Sequence, residues 1–152
     1  MGYSISGLVT SFKYKGNLPH KYLISDFVFI PLDSKSNGFK GFSEKPSEEL
    51  TPKIKRLAKE MSYEGKVAFI EADFFGGSGE QCAMVWENGK LIWGPKISTH
   101  DSKNDDVGAI NEALVCLGVY PHGEKDVFST LNLGWNRSNA EWLEEINNLS
   151  KN

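Results

Sequence analysis

The chain has no apolar run near the roughly 18 residues that a membrane-spanning helix needs, so no such helix is expected. Its start, Met1 to Gly16, has no basic stretch followed by an apolar one, and so does not read as a secretory signal. Cysteine is scarce: Cys82 and Cys116 lie far apart and belong to no CxxC pair, which excludes a disulfide framework. With three histidines, none at ligand spacing, they fall short of the roughly four convergent ligands of a structural zinc site. No metal and no cofactor is expected. Neither sign of charge dominates, since Lys+Arg 17 against Asp+Glu 20 leaves −3. That is too balanced for a disordered chain and too acidic for a dedicated nucleic-acid binder. Repeats and low-complexity tracts are also missing. These absences point to a cytoplasmic protein with reduced thiols and no membrane or nucleic-acid partner.

What is present suits one globular domain over residues 1–152, with 39% hydrophobic residues and 15 glycines. A chain of this length buries about two-thirds of its unfolded surface without a staple. Charge is uneven along it, with a balance of +4 over residues 1–66 and −7 over 67–152. An acidic second half favours a basic partner, unless the halves interleave in space and the field averages out.

Local patterns predict an α+β fold: a mainly antiparallel sheet packed against about three helices. A first strand is expected over Tyr3–Phe12, where a slip in apolar phase suggests a bulge at Gly7. Phe27-Val28-Phe29-Ile30 is apolar on both faces and suits a central strand ended by Pro31. Thr51-Pro52 starts a helix with Ile54, Leu57, Ala58 and Met61 inward and Lys53, Lys55, Arg56 and Lys59 toward water. The strongest signal is a three-stranded meander around residues 66–93. Asn88-Gly89 turns its second hairpin, setting Glu87 opposite Lys90 and Trp86 opposite Leu91. Gly94-Pro95 is expected to end it. Helices follow over Asp106–Leu117, closed by Gly118, and after the capping box Ser138-Asn139-Ala140-Glu141.

Several groups have the residue types for chemistry. Glu71 and Asp73, at i and i+2, share one strand face roughly 7 Å apart, with Glu80 and Gln81 returning nearby. Such carboxylates can bind a divalent cation or work as an acid–base pair. The plainer expectation is the half-solvated outer face of a sheet whose inner face carries Ala68, Ile70, Ala72 and Phe74. Gly76, Gly77, Ser78 and Gly79 form a glycine-rich loop whose amides could converge on an anion. It joins two strands rather than opening a helix, and neither the Walker pattern nor a nucleophile elbow is present. His20, His100 and His122 fall in expected loops, and His100 beside Asp101 is a weak acid–base candidate. Asp101, Asp105 and Asp106 make an acidic stretch before a helix. Trp135 and Arg137 place two hot-spot residue types in one Gly/Asn-rich loop.

The blocks Phe74-Phe75-Gly76-Gly77-Ser78-Gly79-Glu80-Gln81 with Val85-Trp86, Ile110-Asn111-Glu112-Ala113-Leu114 and Leu117-Gly118-Val119 resemble a group of small uncharacterised bacterial proteins. The resemblance implies a bacterial, cytoplasmic domain and no established activity. The leading expectation is a non-catalytic protein-binding module, in the manner of an immunity-type inhibitor of a basic partner. It would bind through Gly76–Gly79, the three aspartates, Trp135 and Arg137. The alternatives are a metal-assisted hydrolase using Glu71 and Asp73, and an anionic-ligand sensor using the glycine loop.

Overall fold

The computed structural model describes residues 2–32, 52–75, 78–100, 108–119, 133 and 138–150. Strands β1 (Gly2–Thr10), β2 (Lys21–Tyr22), β3 (Val28–Pro31), β4 (Val67–Phe75), β5 (Ser78–Glu87) and β6 (Lys90–His100) build one antiparallel sheet. Its order is β2-β3-β1-β4-β5-β6. Helices α1 (Pro52–Met61), α2 (Ala109–Leu117) and α3 (Asn139–Ser150) complete an α+β fold. No helix among the described residues is long and apolar enough to cross a membrane.

Helices cover both faces of the sheet, and this organises everything else. On one face Ile5, Val9, Phe29, Ala68, Ile70, Ala83 and Val85 pack against α2 and against Trp142 of α3. On the other, Leu8, Val28, Ile30, Phe69, Cys82, Met84 and Trp86 pack against Ile54 and Ala58 of α1. Strands buried on both sides read as near-continuous apolar runs instead of alternating ones. That explains β1, where the phase slip at Gly7 is not a bulge. Pairing with β4 runs unbroken from Gly2↔Phe75 to Thr10↔Val67. Gly7 is required for a different reason: a Cβ there would collide with the Ile30 carbonyl oxygen and lie 2.7 Å from the Phe29 ring.

The β5–β6 hairpin forms as its sequence dictates. Asn88 and Gly89 take φ of 53° and 79°, the left-handed pair of a type I′ turn, and Glu87↔Lys90 and Trp86↔Leu91 are in register. Ser62 locks this turn to the end of α1: its carbonyl oxygen accepts from Asn88 N at 2.8 Å and its Oγ from Gly89 N at 2.8 Å. Contrary to expectation, β6 does not stop at Gly94-Pro95 but runs on to His100. The register shifts once across Gly94-Pro95, between the Ala83 and Val85 pairs, and again across Ile92, so the strand bulges past the proline instead of ending there. An edge strand tolerates proline because its outward side needs no donor.

Helix α2 starts at Ala109, later than the acidic stretch suggested, because β5 and β6 supply its cap. Ala109 N donates to Ser98 Oγ at 2.9 Å and Ile110 N to Gln81 Oε1 at 3.0 Å, satisfying two amides that a helix start leaves open. Gly118, at φ 104°, closes it in the left-handed conformation. At the start of α3, Ser138 Oγ accepts from Glu141 N at 3.2 Å, as the capping pattern required.

Candidate functional site

The carboxylate group of the sequence does not lie on a solvated face. Glu71 is 2% exposed, set in register between Ser6 of β1 and Cys82 of β5. The expectation of a half-wet outer face fails because α1 covers that side. Gln81 points the opposite way and caps α2, so it is no part of this group. Glu71 acts on its neighbour. Burial pushes the Cys82 thiol up to about 12, and the Glu71 charge adds to the rise. A thiol held neutral at ordinary pH is not a nucleophile.

A pH dependence follows. The unfolded thiol titrates near 9.0, so above that value the unfolded chain sheds its proton first. The stabilisation from a neutral Cys82 is therefore complete below about pH 9 and lost as pH rises toward 12. Urea unfolding between pH 8 and pH 11 should show falling stability, roughly level in Cys82→Ala. An equal slope in both proteins would sink the assignment.

The weak catalytic candidates do not share a face. By backbone register Asp73, opposite Glu80, keeps the phase of Glu71 and Phe69. His100 lies in β6 and not in a loop, and keeps the phase of Ser98, whose side chain meets α2 on the other face. Ser78 and Gly79 are likewise strand residues, paired with Phe75 and Phe74, rather than loop residues. Their backbone belongs to a ladder, which leaves less of the expected anion cradle. Gly76, Gly77, Asp101, Asp105, Asp106, His122, Trp135 and Arg137 lie outside the described residues. Among the described residues no three His, Cys, Asp or Glu side chains gather where a metal could sit.

The three helices differ in charge. On one side of the sheet α3 carries Glu141, Glu144 and Glu145 and α2 carries Glu112, with no Lys, Arg or His on either helix. On the other side α1 carries Lys53, Lys55, Arg56 and Lys59 against Glu60. Cations from the strands reach the acidic helices all the same, and Lys66 Nζ donates to the Cys116 carbonyl oxygen of α2 at 3.0 Å. Among the described residues three ion pairs tie the elements together: Lys96 Nζ on Glu112 at 2.6 Å, Lys66 on Glu87 at 3.9 Å and Lys21 on Glu145 at 4.0 Å. All are partly exposed, so each contributes little to stability.

One feature escaped the sequence reading. His20 lines an open cleft of about 450 Å³ between residues 16–20 and Ile146-Asn147 of α3. Its ring meets Tyr14 and Tyr22 edge-on at 5.0 and 5.6 Å. His20 Nδ1 lies 2.9 Å from the Leu18 carbonyl oxygen, which assigns the proton to Nδ1, and Tyr14 Oη accepts from Leu18 N at 3.2 Å. The alternation Tyr14, His20, Tyr22 was the available signal, but no periodicity linked it to α3.

No protein-family model, no curated protein and no solved structure matches this chain.

Proposed function

We propose that the chain is a non-catalytic protein-binding domain with a basic partner, of the kind an immunity-type inhibitor represents. The observation that supports this reading is the acidic character of α2 and α3, which Lys96 and Lys21 neutralise in part, at Glu112 and Glu145. Glu141 and Glu144 stand exposed on α3, neither α2 nor α3 has a cation, and the sequence after β6 adds Asp101, Asp105 and Asp106. An acidic surface steers an oppositely charged protein and suppresses wrong partners. The neutral, buried Cys82 thiol speaks against cysteine chemistry at the same sheet.

The test is a low-salt pull-down with the tagged full chain from its source cells, read by mass spectrometry. Two variants run beside it, Glu141→Gln with Glu144→Gln, and Asp101→Asn with Asp105→Asn and Asp106→Asn. One stoichiometric basic protein, held by the parent chain and weakened in the variants, is the expected result. Equal retention by all three proteins would remove the electrostatic basis. A second reading, metal-assisted hydrolysis at Glu71 and Asp73, draws on the buried Glu71 carboxylate. It requires Mg²⁺, Mn²⁺ or Ca²⁺ at millimolar concentration to raise Tm, since a bound ligand stabilises the folded state.

A further inference from the structure

We propose that the outer face of α1, together with Lys13 and Lys15, is a docking surface for an acidic polypeptide segment. This goes beyond the reading above and does not depend on it. The charges on α1 are mostly cationic along its length, and Lys59, in the last turn, suits the helix dipole. Its first turn has no acid, and Lys55 and Arg56 stand exposed near the end where the helix dipole is positive. The helices opposite do the reverse, with Glu112 and Glu141 in their first turns. Lys55 and Lys59, at i and i+4, also repel one another. Arg56 and Glu60, also at i and i+4, offset this only in part, which leaves the outer face net positive.

The patch is wider than one helix. Ser11 N and Oγ both donate to the Lys66 carbonyl oxygen, at 3.1 and 3.0 Å, which ties the segment after β1 to the start of β4. Phe12, Tyr14 and Leu18 then pack into the same apolar cluster as Leu57 and Met61. The exposed Lys13 and Lys15 of that segment add to the exposed Lys55, Arg56 and Lys59 of α1. None of these five cations forms an ion pair with a described residue. Tyr63, 63% exposed just beyond α1, adds an aromatic contact at the edge of the patch. The complement of such a surface is a short run of carboxylates with an apolar neighbour. A duplex or long single strand would continue past the patch onto a molecule of net charge −3.

Fluorescence anisotropy of a fluorescein-labelled ten-residue oligoglutamate with the full chain at low salt tests this. A ten-nucleotide oligothymidine and phosphatidylserine-containing vesicles serve as parallel probes. Saturable peptide binding should weaken roughly tenfold or more in Lys55→Gln with Arg56→Gln and Lys59→Gln, and as salt is raised. Tm should change little in that variant, because Lys55, Arg56 and Lys59 are exposed and make no ion pair with a described residue. Lys13→Gln with Lys15→Gln, outside the helix, should also weaken binding. Failure of the peptide to bind, or equal binding by both variants, overturns the proposal. Tighter binding of the oligonucleotide or the vesicles overturns it too, by assigning the patch to nucleic acid or to membrane.

Discussion

Alanine in place of Trp142 is expected to lower stability by about 3–5 kcal/mol, the range for truncating a buried large aromatic. Trp142 is 2% exposed and meets Phe29 edge-on at 5.3 Å, so it anchors α3 to β3. At roughly 2–4 °C per kcal/mol for a chain of this size, Tm should fall by about 6–20 °C. Phenylalanine should behave differently. The indole Nε1 is buried with no hydrogen-bond partner among the described residues, and an unsatisfied buried donor costs about 1–3 kcal/mol. Trp142→Phe loses contact area but also discards that donor, so its net cost should stay below about 1.5 kcal/mol. Urea titration of the two variants separates the effects. A phenylalanine variant as weak as the alanine one would mean that the indole N–H is satisfied after all.

The second large effect belongs to Gly7. Alanine there adds one methyl group in the middle of the sheet, where the nearest atoms include the Ile30 carbonyl oxygen. Backbone in a central strand cannot step aside as a side chain can, so a cost of about 3 kcal/mol is expected, the upper end for overpacking. Gly65→Ala is the control. Its new methyl would meet the Phe12 ring at 2.7 Å and the Ser11 hydroxyl at 3.3 Å, both side chains, and should cost less than half as much. Equal losses at both positions would show that the β1–β3 approach is looser than described.

What the sequence disclosed depended on how local its physics was. Asn88-Gly89 announced its turn because few residues accept two successive left-handed positions, and the register followed from the turn. Ser138 and Glu141 marked the start of α3 for a similarly local reason. Misreadings arose where a distant element decided the outcome. Glu71 looked solvated because alternation assumes one wet face, and only the packing of α1 shows that neither face is. Gly7 looked like a bulge because a doubly buried strand has no polar phase to follow. Gly94-Pro95 looked like a stop because nothing in the sequence says that β6 is an edge. Of the candidate site, the acidic composition of the second half was legible, whereas the pairing of Lys21 and Lys96 with acids on α3 and α2 needed the topology.

The position of β1 has a consequence for how the sheet assembles. Strands β4, β5 and β6 follow one another closely in the chain, so each pairing closes a small loop. The ladder between β1 and β4 instead joins segments separated by β2, β3 and α1, and its closure entropy is correspondingly larger. Local hairpins form ahead of such non-local pairings. Until the seam closes, β4 presents a bare edge lined by Val67, Phe69 and Ile70, the kind of edge that recruits other chains. The native sheet hides that edge in its interior, so the hazard of aggregation falls on the half-assembled chain and ends when β1 arrives.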